Sequence, residues 1–197
     1  MNIVIIHANP SEKSLGKEII RSIIENLESK NIKPVFRDLY QINFDPVLTS
    51  DDLESFRTNK LSEDILTEQK IIANSDLLLF VYPLWWGGMP AIMKGYIDRV
   101  FAHGFAYHVE ENGVFPGLKG KSVINICSHG ESAEKFNEIG MYNALEKVFE
   151  EGVFKFSGIK TEAHFYFQDP WSMTDKMIND RIKEINSFIQ NLVEQNN

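Results

Sequence analysis

Cysteine is almost absent from this 197-residue sequence: Cys127 is the only one, so the chain cannot form an internal disulfide. Basic residues are also scarce, since 20 Lys and Arg face 28 Asp and Glu and the net charge is −8. This balance, without a Lys/Arg cluster, argues against general binding of nucleic acid or anionic membranes. No apolar run approaches the ~20 residues of a membrane span, and the first run lacks the features of a signal peptide, so we expect a cytoplasmic protein.

Several motifs of well-known enzyme classes are also missing. The sequence has no G-x-x-x-x-G-K-[ST] loop, no G-x-G-x-x-G loop and no G-x-S-x-G elbow, which argues against P-loop NTPases, the usual dinucleotide fold and serine hydrolases. The five histidines do not have the spacing of metal ligands, so we expect no metal site. This scarcity of acid–base candidates is compatible with a bound redox cofactor, because such a cofactor carries the reaction itself.

What the sequence does contain is an alternation of short apolar runs with helical patterns. The apolar runs predict five strands, at residues 3–7, 34–38, 77–82, 121–127 and 163–167. Apolar residues at three- and four-residue steps predict helices, at about residues 15–27, 51–74, 91–101, 137–156 and 178–192. Residues 102–120 are expected to be a loop. We therefore predict one α/β domain over residues 1–197, with helices on both faces of a five-stranded parallel sheet of order 2-1-3-4-5.

The loop after the first strand is the first candidate site. Backbone amides at the start of the following helix, together with the hydroxyls of Ser11 and Ser14, form a cradle for an anion. Ser14 also suits the N-cap of that helix. Taken alone, this segment is explained more simply as a capped helix after a turn.

The segment after the third strand is the second candidate. Trp85 and Trp86 stand before Gly87 and Gly88, at the carboxyl end of a buried strand, where open α/β sheets bind ligands. Exposed tryptophans suit a flat partner, although core or subunit packing also explains them. Residues 128–131, predicted to turn after the fourth strand, would lie beside the same crevice.

Residues 80–101, FVYPLWWGGMPAIMKGYIDRVF, carry a resemblance to a known family. They resemble the signature P-L-x-W-[FWY]-x-x-P-A-I-[LM]-K-G-[FWY]-[IFL]-[DE]-R-V-F of the flavodoxin-fold NAD(P)H:quinone oxidoreductases. Residues 104–107, and the first loop with His7, Asn9 and Ser14, agree with the same family. The resemblance extends from residue 1 to about residue 167. It implies a flavodoxin-like three-layer sandwich and a homodimer with its active site at the subunit interface.

The resemblance also implies a non-covalently bound flavin and assigns residues to it. The flavin phosphates would lie by His7, Ser14 and Leu15. The flavin ring would have Trp86 stacked beside it. It would run along the loop after the third strand, at Pro83, Leu84, Trp85, Trp86 and Gly87. The polar edge of the ring would contact Ser128, His129 and Gly130, which take the place of the family's Thr-Thr-Gly-Gly turn. The substrate pocket would contain Phe105 and Tyr107, the latter from the partner subunit, and the catalytic candidates are His129 and Tyr107.

The implied activity is transfer of two electrons, by hydride transfer, from NADPH or NADH to a quinone-like, azo or nitro acceptor in a ping-pong reaction. The flavin is left open between FAD and FMN, because the His7 loop favours FAD and the short C-terminus favours FMN. Two other functions stay open. One is a regulatory flavoprotein subunit of a potassium-efflux antiporter in the membrane, and the other is a flavodoxin-type electron carrier.

Overall fold

The structure is a computed structural model that describes residues 1–58 and 60–196. Its strands are β1 (Ile3–His7), β2 (Val35–Asp38), β3 (Leu77–Pro83), β4 (Tyr107–Glu110), β5 (Gly113–Pro116), β6 (Ser122–His129) and β7 (Lys160–Gln168). Its helices are α1 (Leu15–Glu28), α2 (Ser50–Thr58), α3 (Glu63–Ala73), α4 (Ala91–Val100), α5 (Ala133–Glu138), α6 (Met141–Phe149), α7 (Lys155–Ser157) and α8 (Asp175–Gln195).

Five of the strands form one parallel sheet, in the order β2-β1-β3-β6-β7. Because β4 and β5 pair separately, this is the predicted order 2-1-3-4-5, and the flavodoxin-like fold is confirmed. The third strand was predicted from a continuous apolar run, as expected for a strand covered on both faces, and every residue of β3 is buried. Successive side chains of β3 point to opposite faces, so Leu77 and Leu79 join one core while Leu78 and Phe80 join the other.

The two cores lie on opposite faces of the sheet. On one face α1 and α8 pack together, through isoleucines such as Ile23 and Ile185. On the other face the core includes α4 and α6, with Phe154 packed on Phe80 at a ring separation of 5.6 Å. This arrangement leaves the carboxyl edge of the sheet to the loops, where the candidate site residues lie. In the described residues no helix is long and apolar enough to cross a membrane.

Residues 51–74, predicted to be mostly helical, contain two helices in the structure, α2 and α3. Asn59 lies outside the described residues. Each helix offers a carboxylate to the same guanidinium: Arg99 Nε lies 3.1 Å from Asp52 Oδ2, and Nη1 lies 2.7 Å from Asp64 Oδ2. One continuous helix would not direct both carboxylates to a single side chain on α4.

Two other segments also differ from the prediction. Residues 102–120 contain the antiparallel β4–β5 hairpin rather than only a loop. The helix predicted at 137–156 is divided into α5, α6, a π-helical segment (Glu150–Phe154) and α7. Gly140 separates α5 from α6 with φ +69°, a left-handed conformation that glycine adopts without strain.

Candidate functional site

A cavity of about 420 Å³ opens at the carboxyl edge of the sheet. Its wall is built from the last residues of β3 and β6 and from the segments that follow β1, β3, β6 and β7: Asn9, Ser11, Lys13, Ser14, Leu15, Pro83, Leu84, Trp85, Ser128, His129, Gly130, Pro170 and Trp171. The volume lies in the usual range for small-molecule sites. Another cavity, of about 350 Å³, lies at the opposite edge near Asn2 and Lys33, but open α/β sheets bind their ligands at the carboxyl edge.

The β1 loop gives one end of the cavity an electropositive character. Ser14 is the N-cap of α1, and its Oγ accepts a hydrogen bond from Lys17 N at 3.3 Å. Ser11 N donates to Asn9 Oδ1 at 2.9 Å, which holds the loop in a compact turn. The N-terminus of a helix carries a partial positive charge, and Lys13 adds a full charge on the same wall. This end of the cavity therefore suits a phosphate group.

His7 does not line this cavity, and its expected contact with phosphate stays a prediction. Its side chain is fully buried beneath the start of α1, and Nδ1 lies 2.8 Å from the carbonyl oxygen of Val81. Burial lowers the pKa of His7, so the imidazole is neutral and Nδ1–H donates to that carbonyl. Gly16 makes room for the ring, since a Cβ there would lie 2.7 Å from His7 Cε1. The β1-loop residue that reaches the cavity instead is Asn9.

The β3 loop contributes Trp85 to the cavity rather than Trp86. Trp85 and Gly88 exchange backbone hydrogen bonds of 3.0 and 3.1 Å, so Trp86 and Gly87 form the tip of a two-residue turn. Both tip residues have positive φ, +52° and +72°, as such turns require. At the tip Trp86 is fully exposed, whereas Trp85 is 43% exposed and lies on the cavity wall with Pro83 and Leu84. In a single chain Trp85 thus lies on the cavity wall and Trp86 does not, while the expected stacking of Trp86 on the ring stays a prediction.

The end of β6 brings Ser128, His129 and Gly130 to the cavity, as expected. Ser128 and His129 are strand residues, paired with Phe167 and Gln168 of β7, and not part of a turn. The strand continues because β7 is long enough to pair with it.

The His129 ring is held on several sides. It stacks on Phe136 with a centroid distance of 4.1 Å, and Nε2 lies 3.0 Å from Tyr142 Oη. Burial lowers the pKa of His129 and raises that of Tyr142, so the phenol donates to the neutral imidazole. Nδ1 is buried as well. His129 therefore lines the cavity with its Nε2 engaged by Tyr142 and its Nδ1 buried.

Phe105 and Tyr107 do not line the cavity of a single chain. Phe105 packs against the α4–α6 core. Tyr107 begins the β4–β5 hairpin and contacts Phe156, with ring centroids 5.0 Å apart. The prediction for Tyr107 concerned the partner subunit's copy, so it stays a prediction.

Lys13, Pro170 and Trp171 were missed by the sequence reasoning, although all three line the cavity. A signal for the last two was present: the dipeptide Asp169-Pro170 marks a turn directly after a predicted strand, and Trp171 follows it. The same argument that selected Trp85 and Trp86 applies to this tryptophan.

Comparison with known proteins identifies the relatives of the chain. A family model described as flavodoxin-like fold matches residues 1–189. An NAD(P)H oxidoreductase of Haemophilus influenzae is 37% identical over 177 residues, which cover 89% of this chain and 88% of that protein. The mouse ribosyldihydronicotinamide dehydrogenase (quinone) is 29% identical over 156 residues, which cover 71% of this chain and 68% of that protein.

The chain is also similar to a solved structure. The NAD(P)H:quinone oxidoreductase of Methanothermobacter marburgensis has a TM-score of 0.87 and 26% identity, and the match covers 98% of each chain. The chain belongs to the flavodoxin-fold NAD(P)H:quinone oxidoreductase family. As a member of this family it is an oxidoreductase.

In this quinone oxidoreductase family member, the second half of the signature serves the scaffold. Gly95 of α4 faces Pro46 so closely that a Cβ would lie 2.1 Å from the Pro46 carbonyl oxygen. Arg99 and Asp52 form a buried bidentate salt bridge, in which Nε and Nη2 each donate to one carboxylate oxygen at 3.1 Å. The signature residues that line the cavity, Pro83, Leu84 and Trp85, thus all precede α4.

Proposed function

We propose that the chain is a flavin-dependent NAD(P)H:quinone oxidoreductase. The observation that carries the proposal is the cavity itself, which joins a helix N-terminus with Ser14 and Lys13 to an aromatic wall at Trp85. A flavin mononucleotide or dinucleotide has the same two parts, phosphate and flat ring.

The residues present fit that cofactor. Ser11, Lys13 and Ser14 would hold the phosphate at the start of α1, where the helix dipole stabilises negative charge. The ring would lie between the β3 loop and the end of β6. When bound, the flavin supplies the two-electron chemistry by which NAD(P)H and a proton reduce a quinone to a hydroquinone.

The chain's own residues orient the reactants and exclude water. Trp85 gives an apolar surface against which a flat ring packs. His129, fixed by Phe136 and Tyr142, sets the backbone of the β6 end at the polar edge of the ring. Because donor and acceptor use one cavity in turn, the nicotinamide leaves before the acceptor enters, which is a ping-pong order.

A homodimer is part of the proposal. An apolar groove of about 310 Å³ begins at Gly87 and Gly88, next to the exposed tip of the β3 loop. It continues along α6, where Val148 is 62% exposed. A second copy covering this groove would also cover Trp86 and would bring the partner's hairpin, with its Tyr107, near the cavity.

The test uses purified protein. We expect a yellow protein whose flavin is released by heat, and steady oxidation of NADH or NADPH when a benzoquinone is added. Parallel-line kinetics in the two substrates would support the ping-pong order. A protein that stays colourless after incubation with FAD and FMN contradicts the proposal, and a flavoprotein that does not oxidise NAD(P)H indicates a carrier instead.

A further inference from the structure

A second cleft, of about 350 Å³, opens at the amino edge of the sheet, between α3 and the first residues of β1 and β2. We call it the amino-edge cleft. It lies at the opposite ends of the strands from the cavity at the carboxyl edge, so its residues and those of the proposed flavin site are separate sets. Its volume is within the range of small-molecule sites.

The floor of the amino-edge cleft is aliphatic. Val4 of β1 is 2% exposed, and Val35 of β2 lies beside it in the register of the sheet. Ile71 of α3 lines the same cleft and packs on the same core as Val4. Val35 is nevertheless 44% exposed, so aliphatic surface of the floor is in contact with water. An apolar group that covered this surface would bind favourably.

A buried ion pair fixes β2 against α3 next to this floor. Arg37 follows Val35 by two residues and therefore points to the same face of the sheet. Arg37 Nε donates to Glu68 Oε2 at 3.2 Å, Arg37 Nη2 donates to Oε1, and the Tyr96 hydroxyl donates to Oε2 at 3.1 Å. Glu68 is 2% exposed. Its carboxylate is thus compensated inside the protein, and the two walls of the cleft are held in place before a ligand binds.

The polar residues of the cleft carry positive charge only. Among the described residues, the polar ones that line it are Asn2, Lys33, Lys70 and Asn74, although the whole chain has 28 acidic and 20 basic residues. Neither lysine forms an ion pair with a carboxylate in residues 1–58 and 60–196. Two ammonium groups, together with amides that can donate N–H groups, suit a carboxylate.

Two nearby features of negative charge are compensated by other residues. The carboxyl end of α3 carries a partial negative charge, but Lys121 Nζ donates to the carbonyl oxygens of Ala73 and Ser75 at 2.8 and 2.6 Å. Asp76 Oδ2 accepts a hydrogen bond from Asn2 N at 2.6 Å, and Lys121 also lies within electrostatic reach of Asp76. The charges of the two lysines at the cleft are therefore left for a ligand.

We propose that the amino-edge cleft is a second ligand site, and that it binds an amphipathic anion, a carboxylate joined to an apolar chain or ring. The carboxylate lies between Lys33 and Lys70, and the apolar part covers Val35 and Ile71. This inference goes beyond the proposed function, because the site needs neither a flavin nor a nicotinamide.

The test is a titration of the purified, isotope-labelled protein with octanoate, followed by nuclear magnetic resonance. We expect saturable shifts of the backbone amides of Val35, Ile71 and Asn74. Two further probes separate the parts of the ligand, since inorganic phosphate has charge without an apolar part and octanol has an apolar part without charge. Each should bind at this cleft at least about tenfold more weakly than octanoate.

Lysine variants test the positive rim. Lys33→Gln and Lys70→Gln each remove one charge from the cleft and should weaken octanoate binding by up to about fivefold, as expected for an exposed ion pair. The double variant should lose about tenfold or more. Lys30→Gln is the matched control, because Lys30 is an exposed lysine of the turn before β2 that does not line the cleft. It should bind octanoate as the wild type does.

An exchange at the floor tests the apolar part separately. Val35→Thr replaces a methyl group by a hydroxyl of similar size and keeps a β-branched side chain in the strand. It should weaken octanoate binding and leave the weak binding of phosphate unchanged. The amide spectrum of each variant without ligand verifies that the fold is intact.

Several results would overturn the inference. Shifts that rise linearly without saturating would exclude a site, and shifts centred on Ser14 and Gly130 would place octanoate in the carboxyl-edge cavity. Equal affinity for phosphate and octanoate would show that the floor takes no part. Equal losses in Lys30→Gln and Lys33→Gln would show that only the overall charge matters. A protein that binds octanoate at this cleft but stays colourless with FAD and FMN refutes the proposed function alone.

Discussion

The two halves of the family signature use their residues in opposite ways. The loop before α4 exposes its large side chains, with Trp85 at 43% and Trp86 at the tip of a turn. Helix α4 buries its side chains, including Tyr96, Met93 and the charged Arg99. A continuous and specific sequence pattern therefore encodes two kinds of structure, a cavity wall and a packing element. Substitutions in the two halves should change different measurements.

The largest effect is expected from Arg99→Met. The side chains of Arg99 and Asp52 are 7% and 8% exposed, so the variant would leave a buried carboxylate without its partner. Breaking such a pair costs about 3–5 kcal/mol in the free energy of unfolding. Urea denaturation of the apoprotein measures the loss.

Lys94→Ala is the matched control for this prediction. Lys94 also pairs with a carboxylate, Asp98 at 2.5 Å, but on the exposed surface of the same helix. Exposed pairs contribute about 0–1 kcal/mol, so this variant should unfold almost as the wild type does. Equal losses in the two variants would show that burial of Arg99 has no special role.

Gly95→Ala should also destabilise the scaffold. Its Cβ would meet backbone and ring atoms of Pro46 at 2.1–2.6 Å, and a backbone carbonyl yields less readily than a flexible side chain. Overpacking of this kind costs about 1–3 kcal/mol, measurable as a lower midpoint of thermal unfolding. A midpoint within error of the wild type would mean that the segment around Pro46 moves freely.

Substitutions in the loop should leave stability unchanged and affect binding. Trp85→Ala removes an indole from the cavity wall and should weaken flavin binding by about tenfold, or about 1.4 kcal/mol. Trp86→Ala removes an indole from the turn tip and should have a smaller effect on flavin affinity. The comparison is a fluorescence titration of both apoproteins with the flavin that the wild type binds. A larger loss of affinity in Trp86→Ala than in Trp85→Ala would show that Trp86 stacks on the ring.

The smallest effect concerns pH. Burial opposes ionisation of Asp52, but hydrogen bonds from Arg99 and Thr49 outweigh it and lower the pKa of Asp52 below 3.8; Asp64 behaves similarly. The resulting stabilisation is present above the unfolded pKa and is lost as the pH falls through the lower, folded pKa. Acid denaturation below pH ~4 should therefore be shallower in Arg99→Met than in the wild type. Parallel acid profiles would contradict this linkage.

The sequence predicted the sheet well because its strands are local patterns. Residues 77–82 are continuously apolar, and a short run of this kind is typical of a strand covered on both faces. The helix boundaries between residues 51 and 74 were predicted less well. The division into α2 and α3 depends on Arg99, which lies far along the chain, and no local periodicity reports that contact.

The candidate site shows the same limit in finer detail. The sequence placed His7, Trp86 and the end of β6 near one crevice, because strand ends in a parallel sheet meet at one edge. It could not decide between neighbouring residues. Whether Trp85 or Trp86 faces the cavity depends on a two-residue turn closed by Gly88, and His7 is withdrawn because Gly16 admits its ring beneath α1.

By itself, then, the sequence determined the fold, the family and the edge of the sheet at which the cavity opens. Each of these follows from the period of apolar residues or from a long contiguous motif. Only the tertiary structure decided which side chains form the cavity, and it added Lys13, Pro170 and Trp171. The reason is that a cavity wall combines segments far apart in the chain, and the direction of each side chain is set by neighbours that local pattern does not specify.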